Sequence, residues 1–178
     1  TSAPATLTSE PMLLPIALLT IAAQSPARRA DPRPPYWQQQ VAYRIAASLD
    51  EPSGVLGGTE SITYVNHSPD TLTTFSLHLY LNAFRPGSRW ADADSVEGNR
   101  RFNDLKDPDY AFNHVRDVRI MGRPVTAIYP LAPDSTIVRF DLPAPLAPGD
   151  SMQVERRWDP RPSTTPRRQG RRGRRFDF

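Results

Sequence analysis

The chain has 178 residues, 38% of them hydrophobic and 23% charged, a formal net charge of +3 and no cysteine. That length suits one domain with tails, and the missing thiols exclude disulfides, cysteine-ligated zinc and a cysteine nucleophile. The charge is unevenly placed: residues 160–178 hold seven arginines against Asp177 alone, which is +6 and leaves −3 for the rest. The high isoelectric point is therefore a property of the tail and does not mark a nucleic-acid-binding face on the body.

Proline divides the chain. Seven of the 20 prolines precede Tyr36 and three more lie from Pro160 to Pro166. Residues 1–35 read as a leader and proline-rich linker, 36–158 as the folded body, and 159–178 as an arginine-rich loop. Within the leader, Met12 to Ala23 reads MLLPIALLTIAA. Such a run is too short for a membrane-spanning helix, which needs about 20 residues, and fits the apolar region of a signal peptide. Cleavage after Ala22 or Ala27 has small residues in place; Arg28 and Arg29 work against translocation, and a buried apolar segment is the alternative. The expectation is an exported protein, periplasmic or extracellular, with no stable membrane span.

The body opens with Val41 to Leu49, where Val41, Tyr43, Ile45, Ala47 and Leu49 alternate with polar or small residues. Period two predicts a half-buried strand. Residues 51–58, with Pro52 and three glycines, read as a loop. Thr59 to Asn66 and Leu72 to Leu81 are further strands, separated by the turn residues Asn66 to Asp70. Short links of this kind predict an antiparallel meander. Residues 82–110 are polar and proline-interrupted, an excursion with one short helix and with Trp90 and Phe102 as anchors. Strands are expected again at Val115 to Met121, Val125 to Tyr129, Thr136 to Leu142 with Val138 and Phe140 inward, and Ser151 to Trp158. Before the last of these, Pro148-Gly149 supplies a type II turn. The fold class is all-β, an antiparallel β-sandwich or a saddle-shaped sheet.

No residue set for chemistry emerges. His67, His78 and His114 are the three histidines, none four residues from another as a helical zinc site requires. Asp92, Asp94 and Glu97, then Asp104, Asp107 and Asp109, lack the spacing of a calcium loop. There is no Gly-x-Ser-x-Gly elbow, and Gly54, Gly57 and Gly58 read as a hairpin loop, not a phosphate cradle. Nine arginines from Arg156 to Arg175 offer a nucleic-acid or lipid surface, but without interleaved aromatics they read as a solvated loop. No catalytic, cofactor-binding or metal-ligating residue is assigned. Phe176-Asp177-Phe178 is expected to open a further strand that the chain does not complete.

Several phrases in order resemble one family. Tyr36-Trp37-Gln38-Gln39-Gln40-Val41-Ala42-Tyr43, Leu49-Asp50, Gly58-Thr59-Glu60-Ser61-Ile62-Thr63-Tyr64, Asn66-His67-Ser68-Pro69-Asp70, LTTFSLHLYLNAFRPGS and Leu146-Ala147-Pro148-Gly149-Asp150 are similar to the opening of aminopeptidase-N-like (gluzincin) zinc metallopeptidases of the bacterial exported type. The resemblance runs from about Tyr36 to Phe178. It implies a non-catalytic β domain that precedes a catalytic domain, with Zn²⁺ held there by a His-Glu-x-x-His helix and a later glutamate. Those motifs are absent here, so the chain alone is expected to be inactive and to hold no cofactor itself. Implied partners are a downstream catalytic domain of the same chain and, in the parent, a peptide substrate; no nucleic acid is expected. Part of one sheet face is then expected to lie exposed. The alternative is a stand-alone exported β-sandwich that binds carbohydrate or protein, with Trp37, Trp90 and Trp158 as a platform. An arginine-rich nucleic-acid binder is a third reading.

Overall fold

The computed structural model describes residues 36–165 and 169–177, which belong to one compact unit. The signal-like leader lies outside the described residues. Nine strands, β1 Gln40–Asp50, β2 Val55–Val65, β3 Leu72–His78, β4 Phe112–Ile120, β5 Arg123–Pro124, β6 Ile137–Leu146, β7 Ser151–Arg161, β8 Gly170–Arg172 and β9 Arg175–Asp177, dominate it. One helix, α1 Arg89–Val96, follows a 3-10 turn at Tyr80–Phe84. All strand pairs are antiparallel: a five-stranded sheet in the order β1-β2-β7-β4-β5, and the two-stranded pairs β3-β6 and β8-β9. The all-β antiparallel expectation holds, and no described helix is long and apolar enough to cross a membrane.

The core forms between the large sheet and the β3-β6 pair. Ile62 of β2, Met152 and Val154 of β7, and Val118 and Ile120 of β4 meet Phe75 of β3 and Val138, Phe140 and Leu146 of β6. Inward-facing Val138 and Phe140 are fully buried, as their alternation predicts. Burying such side chains stabilises the fold by about 1.5–3 kcal/mol each.

The meander does not form. Strand β3 leaves the large sheet and pairs with β6, while β7 takes the open side of β2. Asn66 fixes this departure. Its Nδ2 donates to Asp70 O (2.8 Å) and Leu146 O (3.0 Å), and its Oδ1 accepts from Ser68 N (3.1 Å). The side chain thus occupies two backbone groups of the β2–β3 link and ties that link to Leu146 at the end of β6. Two more expectations change. Strand β2 begins at Val55, so Gly57 and Gly58 sit in a strand, not a loop. Val125–Tyr129 is not a strand; after the two-residue β5 it contributes the hydrogen bond from Val125 N to Val118 O (3.1 Å) and the bridge of Ile128 to Arg139.

At the turn before β7, Gly149 takes φ +86°, the left-handed conformation expected of its place after Pro148. Residues 170–177 make the β8-β9 hairpin, in which Arg174 pairs with Glu51 at 2.8 Å and Arg171 Nη2 donates to Pro108 O at 2.7 Å. Phe176 and Asp177 lie in β9, which starts at Arg175 and pairs with β8.

Candidate interaction surface

Strand β1 carries the most unusual surface of the molecule. Its register with β2 places Val41 opposite Tyr64, Tyr43 opposite Ile62, Ile45 opposite Glu60 and Ala47 opposite Gly58. Directly opposed residues share a sheet face, and Ile62 and Tyr64 face the core. The apolar alternates of β1 therefore extend the core face of the sheet by one strand.

Among the described residues, nothing in the second layer covers that extension. No β1 residue joins the core cluster, and all eleven are exposed. Val41 is 37% exposed, Tyr43 60%, Ile45 55% and Leu49 38%, against 1% for Ile62 on the adjacent strand. The half-burial expected from period two is thus corrected: alternation shows which side is apolar, but the extent of the neighbouring layer decides what is covered. Tyr36 and Trp37, just before β1, are exposed as well. An exposed apolar stripe with this continuity marks an interaction surface.

The far end of the same face is polar and packed. Glu60 and Arg156 stand opposite each other on β2 and β7 and form a close ion pair with side chains only 5% and 13% exposed. In the next row Trp158 lies over Gly58. A Cβ on Gly58 would stand 2.7 Å from Ala46 O and 2.8 Å from Trp158 Cζ2, so only glycine fits this crossing. The sequence reading missed the ion pair, because two charges 96 residues apart carry no local signal of pairing.

The opposite face of the sheet holds a shallow depression of about 740 Å³. Small residues, among them Ala46, Ser48, Gly57 and Thr59, floor it, and Arg116, Arg157 and Asp159 stand at its side. Asp159 accepts from Arg116 Nε (2.8 Å) and lies 3.0 Å from His114 Nδ1. Burial pushes the Asp159 carboxyl up, but the hydrogen bonds from Arg116 and His114 outweigh it and hold it below the usual carboxylate range. Asp117, at φ +51° in the irregularity between Arg116 and Arg119, lies 3.8 Å from Arg157. These charges pair with one another along the side of the depression.

The residues considered for chemistry are dispersed. His67 Nδ1 is 3.1 Å from Gln38 O, His78 stacks on Tyr80, and His114 stacks on Phe112. Asp94 pairs with Arg101, Asp104 with Arg100 and Asp107 with Arg161. Asp109 lies 3.8 Å from Arg171, and Asp92 accepts from Asn103 at 3.1 Å. Asp94, Asp104, Asp107 and Asp109 thus serve as arginine partners. Among the described residues no three His, Asp or Glu side chains converge on a metal position. Arg161 is a packing residue, its guanidinium 4.5 Å from the Phe112 centroid and 5.6 Å from that of Tyr110. Phe102 is fully buried as an anchor should be, whereas Trp90 is 49% exposed on α1. The three tryptophans occupy different elements: Trp37 precedes β1, Trp90 is on α1 and Trp158 on β7.

No protein-family model matches the chain, and no curated protein matches it.

Proposed function

We propose that this chain is the non-catalytic leading β domain of an exported, aminopeptidase-type zinc metallopeptidase. It packs against a catalytic domain encoded downstream and walls one side of that domain's substrate cleft. The observation that carries the reading is the apolar stripe of β1, a continuation of the core face that the chain's own second layer leaves uncovered. A domain that completes its burial on a neighbour needs such a face. The ordered phrases from Tyr36 to Asp150 support the identity of that neighbour by resemblance.

In this reading zinc, the attacking water and the residues that activate it belong to the neighbour, and no step is routed through this chain. Its role is shape: a stiff antiparallel sheet that fixes one wall and excludes bulky folded substrates. Reading the codons that follow Phe178 tests the proposal. A His-Glu-x-x-His segment with a later glutamate, within a few hundred codons, is the expected result. An uninterrupted reading frame of that length without it refutes the reading.

A further inference from the structure

Natural sheets protect their open edges with short strands, charges, prolines or bulges. The large sheet here does so on one side only. Its β5 edge is two residues long, Arg123-Pro124. The β1 edge is eleven residues long, contains no proline and no irregularity in its register, and carries one cation, Arg44, between its ends. Among the described residues, β1 has a neighbour on one side only. Alternate residues therefore present unpaired N–H and C=O groups along an edge of about 37 Å.

The sequence of this edge is self-complementary. We propose that β1 pairs with β1 of a second copy of this chain, antiparallel, about a twofold axis at Ile45. In that register Val41 faces Leu49 of the second copy, Tyr43 faces Ala47, and Ile45 faces its own equivalent. Tyr43 meets the small Ala47, and every residue of the apolar stripe meets another residue of that stripe. On the other sheet face Arg44 stands opposite Ala46, while at the strand ends Gln40 stands opposite Asp50. No like charges face each other.

Neighbouring registers are worse. Moving the axis to Arg44 sets two guanidiniums directly opposite. Moving it to Ala46 sets Asp50 against Ala42 and leaves Gln40 and Val41 unpaired. Displacement by an odd residue puts the two apolar stripes on opposite faces of the joined sheet. The charge pattern thus selects one arrangement, a continuous ten-stranded sheet with both apolar stripes side by side on one face. Eleven paired residues supply about ten backbone hydrogen bonds across the axis. The buried area of one strand edge lies at the low end for specific interfaces, so the dimer is concentration-dependent. The inference is independent of the peptidase reading, since it rests on the strand edge and needs no neighbour.

Sedimentation velocity of the full chain over a wide concentration range tests it. The parent protein follows a reversible monomer–dimer equilibrium. Ala46→Arg sets an arginine opposite Arg44 of the second copy, twice by symmetry, and weakens dimerisation about tenfold. Arg44→Glu combined with Ala46→Arg replaces both repulsions by attractions and restores it. Circular dichroism establishes that each variant is folded, and Arg44→Glu alone, which creates no facing like charges, leaves dimerisation within about threefold. A parent that is monomeric throughout overturns the proposal. So does open-ended association that ignores the single change, or a double variant that stays as weak as Ala46→Arg.

Discussion

Ile45 and Ile62 lie on the same face of adjacent strands, one row apart, yet one is 55% and the other 1% exposed. Replacing each by threonine keeps the β-branch and so holds strand propensity nearly constant. What remains is burial. At position 62 the change removes about two carbons' worth of transfer energy, about 1.6 kcal/mol at 0.8 kcal/mol each. It also leaves a small void and a buried hydroxyl that costs about 1–3 kcal/mol without a partner. The total is about 3–4 kcal/mol. At position 45 less than half of the transfer term is at stake and the hydroxyl stays hydrated, so the loss is below about 0.8 kcal/mol. Urea titrations at a protein concentration low enough to keep the chain monomeric read both values. Equal losses at the two positions would mean that β1 is covered in the isolated chain, and the argument for an unsatisfied face would fail.

The buried ion pair gives a second outcome. Glu60→Ala or Arg156→Ala alone strands one charge in a poorly hydrated row and costs about 3–5 kcal/mol, whereas Glu60→Leu with Arg156→Met costs less than either; equilibrium denaturation separates them. Gly58→Ala pushes a methyl against the carbonyl of Ala46 and the Trp158 ring. It should destabilise by about 1–3 kcal/mol and shift the tryptophan fluorescence of the folded state. In acid, Asp94, Asp134 and Asp159 all titrate below their ordinary range when folded. Arg101 holds Asp94 down; at Asp134 and Asp159 burial opposes ionisation but the hydrogen bonds outweigh it. A folded value below the unfolded one means that the stabilisation is complete above about pH 4 and disappears as pH falls through the folded values. Thermal unfolding temperatures should therefore drop steeply below about pH 4, and less steeply in Asp159→Asn.

Strand positions were legible wherever alternation was clean and bounded by turn residues, as at Val41–Leu49, Thr59–Asn66 and Ser151–Trp158. Inward-facing Val138 and Phe140 followed from the same rule. Partner choice was not legible, because β3 reaches β6 through side-chain hydrogen bonds of Asn66 that no propensity encodes. Val125–Tyr129 has strand-forming residues but finds only isolated backbone contacts, Val125 with Val118 and Ile128 with Arg139. The interaction surface was half legible. Alternation identified the apolar side of β1, and the resemblance implied an exposed face, but only the position of the second layer shows that the face lies on this strand. Glu60 with Arg156, and Arg161 between Tyr110 and Phe112, depend on cross-strand register and could not be read from local sequence.

Hydroxyl-radical footprinting of Tyr43, Ile45 and Leu49 tests the central claim most directly, comparing this chain alone with the same chain joined to the residues that follow Phe178. Strong labelling in the chain alone, lost when the downstream domain is attached, is the predicted result. Equal labelling of these three side chains in both proteins would contradict the account.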